Sequence, residues 1–147
     1  MATLERAIEI AARAHACVTD KAGDPYIFHP LRMMMRVTSM EAKIVAVLHD
    51  VVEDSETTFD RLRAEGFSEE VVAAVDGVTD RKHLGESYDD FVRRASENPI
   101  SCEVKIADLE DNMNMLRLDK VGPKQLERLE RYHRSWLKLT GKSAVQP

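Results

Sequence analysis

The sequence is poor in the residues that build disulfide scaffolds, sheets and membrane spans. Among 147 residues there are two cysteines, five prolines and six glycines, and aromatic residues make up 5%. Cys17 and Cys102 stand alone without a Cys-x-x-Cys pattern, so small buried thiols are expected rather than a disulfide. The shortage of Gly, Pro, Tyr and Phe argues against a sandwich or barrel, which needs many turns and β-formers. The longest strictly apolar run, residues 44–48, is far too short to cross a bilayer. The opening Met-Ala-Thr-Leu-Glu-Arg offers no apolar signal segment, and a cytoplasmic location is expected. Cations are also in deficit. Twenty-six acids against twenty-one Lys and Arg leave a net charge of −5, which speaks against a protein that coats nucleic acid or an anionic membrane.

What is present is helix-forming. The hydrophobic fraction is 44% and the charged fraction 32%, enough for one domain with a real core. Leu4, Ala7, Ile8, Ala11, Ala14, His15 and Val18 recur at helical spacing and predict a first helix over residues 3–18. Pro30 opens a second, with Leu31, Met34, Met35 and Val37 directed inward. A third covers residues 41–54. Thr57 and Asp60 resemble a capping box for a fourth, closed by Gly66. Ser68 caps a fifth that ends at Gly77. A polar loop follows over residues 79–87. Helices are then expected at residues 88–96, 102–118 and 124–139, and Met33-Met34-Met35 is read as core filling. No segment alternates for long enough to demand a strand. The expectation is an all-α single domain over residues 1–141 with a flexible tail at residues 142–147.

One segment carries chemistry: Leu48-His49-Asp50-Val51-Val52-Glu53-Asp54. On a helix, His49, Asp50, Glu53 and Asp54 fall within roughly 140° of one face, opposite Ile44, Val45, Leu48, Val51 and Val52. An ordinary solvated face would intersperse Lys and Arg, and this one has none. Carboxylates this close repel one another unless a cation or proton relieves them. His29, in Tyr26-Ile27-Phe28-His29-Pro30, and Asp108, in Val104-Lys105-Ile106-Ala107-Asp108, are further candidates in apolar settings, with Asn112 one turn beyond Asp108. Taken singly, His29 reads as a backbone-satisfied histidine and Asp108 as a surface acid. With His49 and Asp50 they form a two-histidine, two-carboxylate set suited to Mn²⁺ or Fe²⁺ with open positions.

The order His…His-Asp…Asp resembles the signature of the HD superfamily of metal-dependent phosphohydrolases. The likeness extends to Asp24-Pro25-Tyr26-Ile27-Phe28-His29-Pro30, to the His49-Asp50 block, to Gly77-Val78-Thr79 and to Val104…Asp108…Asn112. In order and spacing these are similar to the hydrolase domain of RelA/SpoT-type proteins and to stand-alone small alarmone hydrolases, over residues 4–140. The resemblance implies an HD-domain helical bundle that hydrolyses guanosine 3′,5′-bis(diphosphate), the alarmone ppGpp of the stringent response, to GDP and pyrophosphate. It implies Mn²⁺, or another divalent transition metal such as Fe²⁺, on His29, His49, Asp50 and Asp108. Glu53 and Asp54 would be the catalytic acids. Lys21, Lys82, Lys105, Asn112 and Tyr132 would meet the nucleotide, with Arg81 a further candidate. The implied partner is a guanosine tetraphosphate-like nucleotide, with neither a nucleic-acid polymer nor a membrane. His15 is read as a satisfied core histidine, and His83 and His133 as incidental.

The departures cluster on the nucleotide side. The family's Arg-Lys pair is Asp20-Lys21 here, the basic residue after the metal-binding Asp is Leu109, and Asn-x-Arg becomes Asn112-Met113-Asn114. The Tyr…Trp spacing of the last helix, Tyr132 and Trp136, is off by one. Two alternatives therefore stand beside ppGpp hydrolysis. One is hydrolysis of another nucleotide or phosphate ester such as NADPH. The other is a nucleotide-binding module without turnover.

Overall fold

The computed structural model describes residues 1–142; most of the expected tail, residues 143–147, lies outside them. Among the described residues nine α-helices follow in order: α1 Leu4–Ala14, α2 Phe28–Arg36, α3 Met40–Leu48, α4 Val51–Asp54, α5 Phe59–Ala64, α6 Glu69–Gly77, α7 Tyr88–Ser96, α8 Pro99–Asn112 and α9 Pro123–Leu139. Among the described residues there is no strand, only an isolated bridge between Thr19 and Pro25. The all-α expectation therefore holds. No helix among the described residues is long and apolar enough to cross a membrane.

Short polar side chains set most helix starts. Thr3, Ser39, Thr58, Ser68, Ser87 and Asn98 each accept a hydrogen bond from a first-turn amide, satisfying donors that a helix leaves unpaired. The cap of α5 is Thr58 and not Thr57, whose amide instead donates to Ser55 Oγ. The first helix is shorter than its periodicity suggests. It ends at Ala14, and Cys17 adopts φ 64° in the turn beyond. Cys17 is exposed and Cys102 half-buried, so neither is the fully buried thiol expected. The helix read over residues 102–118 starts earlier, at Pro99, and ends at Asn112, after which Met115–Arg117 form a 3₁₀ turn.

Helix α3 is the hub. Ala42 and every residue from Ile44 to Leu48 are buried, and the helix packs against α1, α2, α6 and α8. A helix buried all round needs partners on every side. In α2 it is Met33 that enters the core; Met34 is half-buried and Met35 is 76% exposed, so the methionine run fills the core at Met33, packs against it at Met34 and leaves it at Met35. Helices α6 and α8 approach closely at Gly77, where an added Cβ would stand 2.3 Å from Ser101 Oγ. Ser101 Oγ in turn donates to the Ala74 carbonyl at 2.8 Å.

The loop after α6 is polar but tied down. Arg94 donates to the Asp76 carbonyl at 2.7 Å and the Thr79 carbonyl at 2.6 Å, and its Nε lies 2.8 Å from Glu86 Oε2. A planar guanidinium can serve several acceptors at once. This fixes the segment that faces α4 across the site.

Candidate metal centre and nucleotide cavity

The helix expected over residues 41–54 is interrupted at the residues of interest. It stops at Leu48 and restarts at Val51, leaving His49 and Asp50 in a turn with Asp50 at φ −105°, ψ 0°. The cause is local. His49 Nδ1 donates to the Ala46 carbonyl at 2.8 Å, the acceptor that Asp50 N–H would use in an unbroken α-helix. The break sends both side chains into a cavity of about 910 Å³, whose lining includes His29, His49, Asp50, Glu53, Asp108 and Asn112.

The ring nitrogens of both histidines have assigned tasks. His29 Nδ1 lies 2.6 Å from Asp111 Oδ2, and Asp111 is also held by Arg32 Nε at 2.7 Å and Nη2 at 3.0 Å. With both Nδ1 atoms engaged, each Nε2 is presented to the cavity. His29 Nε2 is 3.1 Å from Asp108 Oδ1, and His49 Nε2 is 3.8 Å from the same oxygen. His49 Nε2 also lies 3.0 Å from Asp50 Oδ2, yet it is buried without a properly directed hydrogen bond. One ligand atom each from His29, His49 and Asp50 falls within 4.8 Å of the others.

This donor set fits a divalent transition metal. Two imidazoles with fixed tautomers, one of them with an orphaned buried Nε2, and two carboxylates are what such an ion takes up. In the metal-free chain a proton plays part of that role. Burial disfavours the charged form of His29, but hydrogen bonds to Asp108 and Asp111 outweigh it and lift the imidazole to about 9. Burial likewise opposes ionisation of Asp50, yet His49 beside it holds the carboxyl down at about 2. The Tyr26 hydroxyl donates to Asp50 Oδ2 and is itself pushed well above the usual tyrosine range, by burial first and then by Asp50.

Glu53 and Asp54 stand differently. Glu53 lines the cavity and accepts the Asp80 N–H at 2.7 Å. The residue is exposed overall, but shielding of its carboxyl, followed by the charges of Asp50 and Asp80, raises it to about 7 against that hydrogen bond. A carboxyl poised there can exchange a proton at neutral pH. Asp54 is raised for the same reasons, shielding first and Asp50 second, but it is not part of the lining.

The residues expected to hold the nucleotide divide into two groups. Lys21, Lys82 and Tyr132 line the cavity. Lys105 and Asn112 line it too, but their polar groups are directed at Asp108: Lys105 Nζ donates to Oδ2 at 2.8 Å and Asn112 Nδ2 to Oδ1 at 2.9 Å. They position the carboxylate. Arg81 is not in the lining and pairs with Asp76 at 3.2 Å. Asp20 accepts the amides of Ala22 and Asp24, and its other oxygen meets Arg117 at 3.2 Å. His15 is buried with its ring 4.8 Å from Tyr26, but neither nitrogen has a hydrogen-bond partner, so it is not the satisfied histidine expected. Asp111, Tyr26 and Arg131 were not singled out from the sequence. For Asp111 the only trace in the sequence is the i, i+3 spacing shared by His29/Arg32 and Asp108/Asp111, which gains meaning once the fold sets their helices face to face.

A family model described as an HD domain matches residues 7–107. The chain belongs to the HD-domain family. This HD domain is 32% identical over 144 residues to a guanosine-3′,5′-bis(diphosphate) 3′-pyrophosphohydrolase of Danio rerio, covering 89% of this chain and 78% of that protein. It is 32% identical over 123 residues to the guanosine-3′,5′-bis(diphosphate) 3′-pyrophosphohydrolase of Aquifex aeolicus, covering 77% of this chain. With a probable GTP pyrophosphokinase of Mycobacterium leprae it shares 35% identity over 147 residues, covering 88% of this chain. Of the latter two proteins the chain spans only 18% of the length. The solved structure of a metazoan SpoT ortholog, described as hydrolysing ppGpp, superposes with a TM-score of 0.74 at 22% identity, over 95% of this chain and 85% of that one. That likeness establishes the shared fold of the HD domain.

Proposed function

We propose that this HD domain, over residues 1–141, is a Mn²⁺-dependent phosphohydrolase that removes the 3′-diphosphate of guanosine 3′,5′-bis(diphosphate). Water is consumed, the bond between the 3′ oxygen and phosphorus breaks, and GDP and pyrophosphate are the products. The observation that carries this reading is the convergence of His29, His49 and Asp50 in one cavity, with Asp108 Oδ1 3.1 Å from His29 Nε2 and Glu53 in the same lining. The relatives in Danio rerio and Aquifex aeolicus bear the name of this reaction. His29, His49, Asp50 and Asp108 would hold a divalent ion, which would supply a Lewis acid to acidify water and offset phosphoryl charge. Glu53 accepts the proton of the attacking water, and Asp54, one residue on, is the second catalytic acid of this reading. Asp111, Lys105 and Asn112 hold the metal-binding side chains in place. The site is expected to operate in the cytoplasm on a free nucleotide.

The test is pyrophosphate release from ppGpp with added Mn²⁺, with and without chelator, for the wild type, Asp50→Ala and Glu53→Ala. Metal-dependent release lost in both variants is the expected result. Release that survives both substitutions would refute the assignment. A second reading is favoured by Asp20, whose carboxylate is committed to its own turn and to Arg117 and which supplies no cation for a base. On that reading the substrate is another nucleotide phosphate such as NADPH, and the same assay run with NADPH separates the two.

A further inference from the structure

The cations that line the cavity are not all spent on its carboxylates. Six cations line it: Lys21, Lys82, Lys105, Arg117, Arg128 and Arg131. Two are used internally, Lys105 on Asp108 and Arg117 on Asp20 and the Asp111 carbonyl. Among the described residues the other four form no ion pair. Arg128 and Arg131 sit on successive turns of α9, an i, i+3 pair that faces one way. Lys21 joins them from the turn after α1. Partial burial, then the charges of Arg128, Lys124 and Arg131, press its ammonium below the usual lysine range. Three like charges gathered without an ion pair cost free energy unless an anion comes to them.

Arg131 is also preorganised. Its guanidinium lies 4.6 Å from the Tyr88 ring centre and 5.4 Å from that of Tyr132. Its Nε is buried without a hydrogen-bond partner, and so is the Tyr88 hydroxyl. A guanidinium held against aromatic rings keeps its remaining N–H groups aimed and loses little freedom on binding. The Tyr88 ring is also 5.6 Å from Lys105 Nζ, the ammonium that belongs to the metal end. Tyr88 thus stands against both the Lys105 ammonium and the Arg131 guanidinium.

We propose that Arg131, assisted by Arg128 and Lys21, grips the phosphate group that is not cleaved, which for a guanosine bis(diphosphate) is the 5′-diphosphate. The inference rests on the reading of the cavity as a nucleotide phosphohydrolase site and extends it. The scissile phosphate must lie against His29, His49, Asp50 and Asp108, where Lys105 is already spent. Arg131 forms no ion pair with these side chains, and the anion assigned to it is the 5′-diphosphate. Charge-assisted bonds from a bidentate guanidinium suit a diphosphate better than a monophosphate.

The experiment compares guanosine 3′-diphosphates carrying one, two or three 5′ phosphates, in Mn²⁺, for the wild type, Arg131→Gln and Arg131→Lys. Binding of GDP and GMP is measured alongside by calorimetry, and melting temperatures confirm folding. Arg131→Gln is expected to raise KM for the 5′-diphosphate by about 10-fold to 100-fold. The penalty should shrink when only one 5′ phosphate is present, and Arg131→Lys should recover part of it. The preference for GDP over GMP should fall in the same variant. An equal KM penalty across the series, a fall in kcat alone, or an undiminished GDP preference would overturn the proposal and leave Arg131 as packing for the tyrosines. A wild type that turns over none of the series but loses its GDP preference on Arg131→Gln would refute the hydrolase reading and keep the grip.

Discussion

Asp111 holds His29 from behind. Its Oδ2 is 2.6 Å from the imidazole Nδ1, and Arg32 clamps both carboxylate oxygens from the other side. Such a carboxylate fixes the tautomer and the direction of the ligating nitrogen, and losing it typically weakens a metal site by about 10–100-fold. Asp111→Asn, which keeps the shape, should therefore lower Mn²⁺ affinity by that order. A metal titration of purified protein checks it. Unchanged affinity would make Asp111 merely a packing residue.

The same pair sets a pH dependence for the metal-free protein. The folded His29 is raised from 6.5 to about 9, so the folded state holds a proton that the unfolded chain has released by then. Its contribution to stability is complete below 6.5 and is lost as pH climbs through about 9. Urea unfolding of chelator-treated protein should show stability declining across that window, less steeply in Asp111→Asn. Because the metal must displace this proton, Mn²⁺ affinity should rise with pH over the same range.

Glu53 should produce the acidic limb of the rate profile. Its carboxyl sits at about 7 in the metal-free chain, and a divalent cation nearby shifts it downward. Turnover should thus rise with pH and level off at or below about 7. Glu53→Gln should lower kcat and flatten that limb, read from initial rates across the acidic range.

Lys105 is a buried countercharge. Its Nζ donates to Asp108 at 2.8 Å and lies 4.6 Å from the Phe91 ring. Removing one partner of a buried pair strands the other, at a cost of about 3–5 kcal/mol. Lys105→Met should lower the melting temperature of the metal-free protein strongly, and added Mn²⁺ should restore part of the loss by neutralising Asp108.

Gly77 should be intolerant for a steric reason. Its missing Cβ makes room for Ser101 Oγ, which would otherwise be 2.3 Å away. Gly77→Ala should destabilise by about 1–3 kcal/mol, and the double change Gly77→Ala, Ser101→Ala should cost less than Gly77→Ala alone. Urea denaturation of the three variants measures the coupling.

Helix positions were readable because capping residues and apolar spacing are local properties. Ser68, Ser87 and Asn98 open helices where short polar residues precede apolar ones. The break at His49-Asp50 was not readable, because it depends on a side-chain bond to the Ala46 carbonyl that competes with the helix's own. The candidate metal ligands were legible as chemistry, four donors in apolar settings. Their support was not. Asp111 looks like any helical acid until α2 packs on α8 and brings Arg32 and His29 to it. Arg131 looks like one charge among many on an amphipathic helix until the fold sets it between two tyrosines.

The most direct test of the account is pyrophosphate release from ppGpp by purified protein with stoichiometric Mn²⁺, compared with Asp50→Ala. The account predicts release in the wild type that chelation abolishes and Mn²⁺ restores, and none in Asp50→Ala. Release that is indifferent to chelation, or equal in the variant, would contradict it.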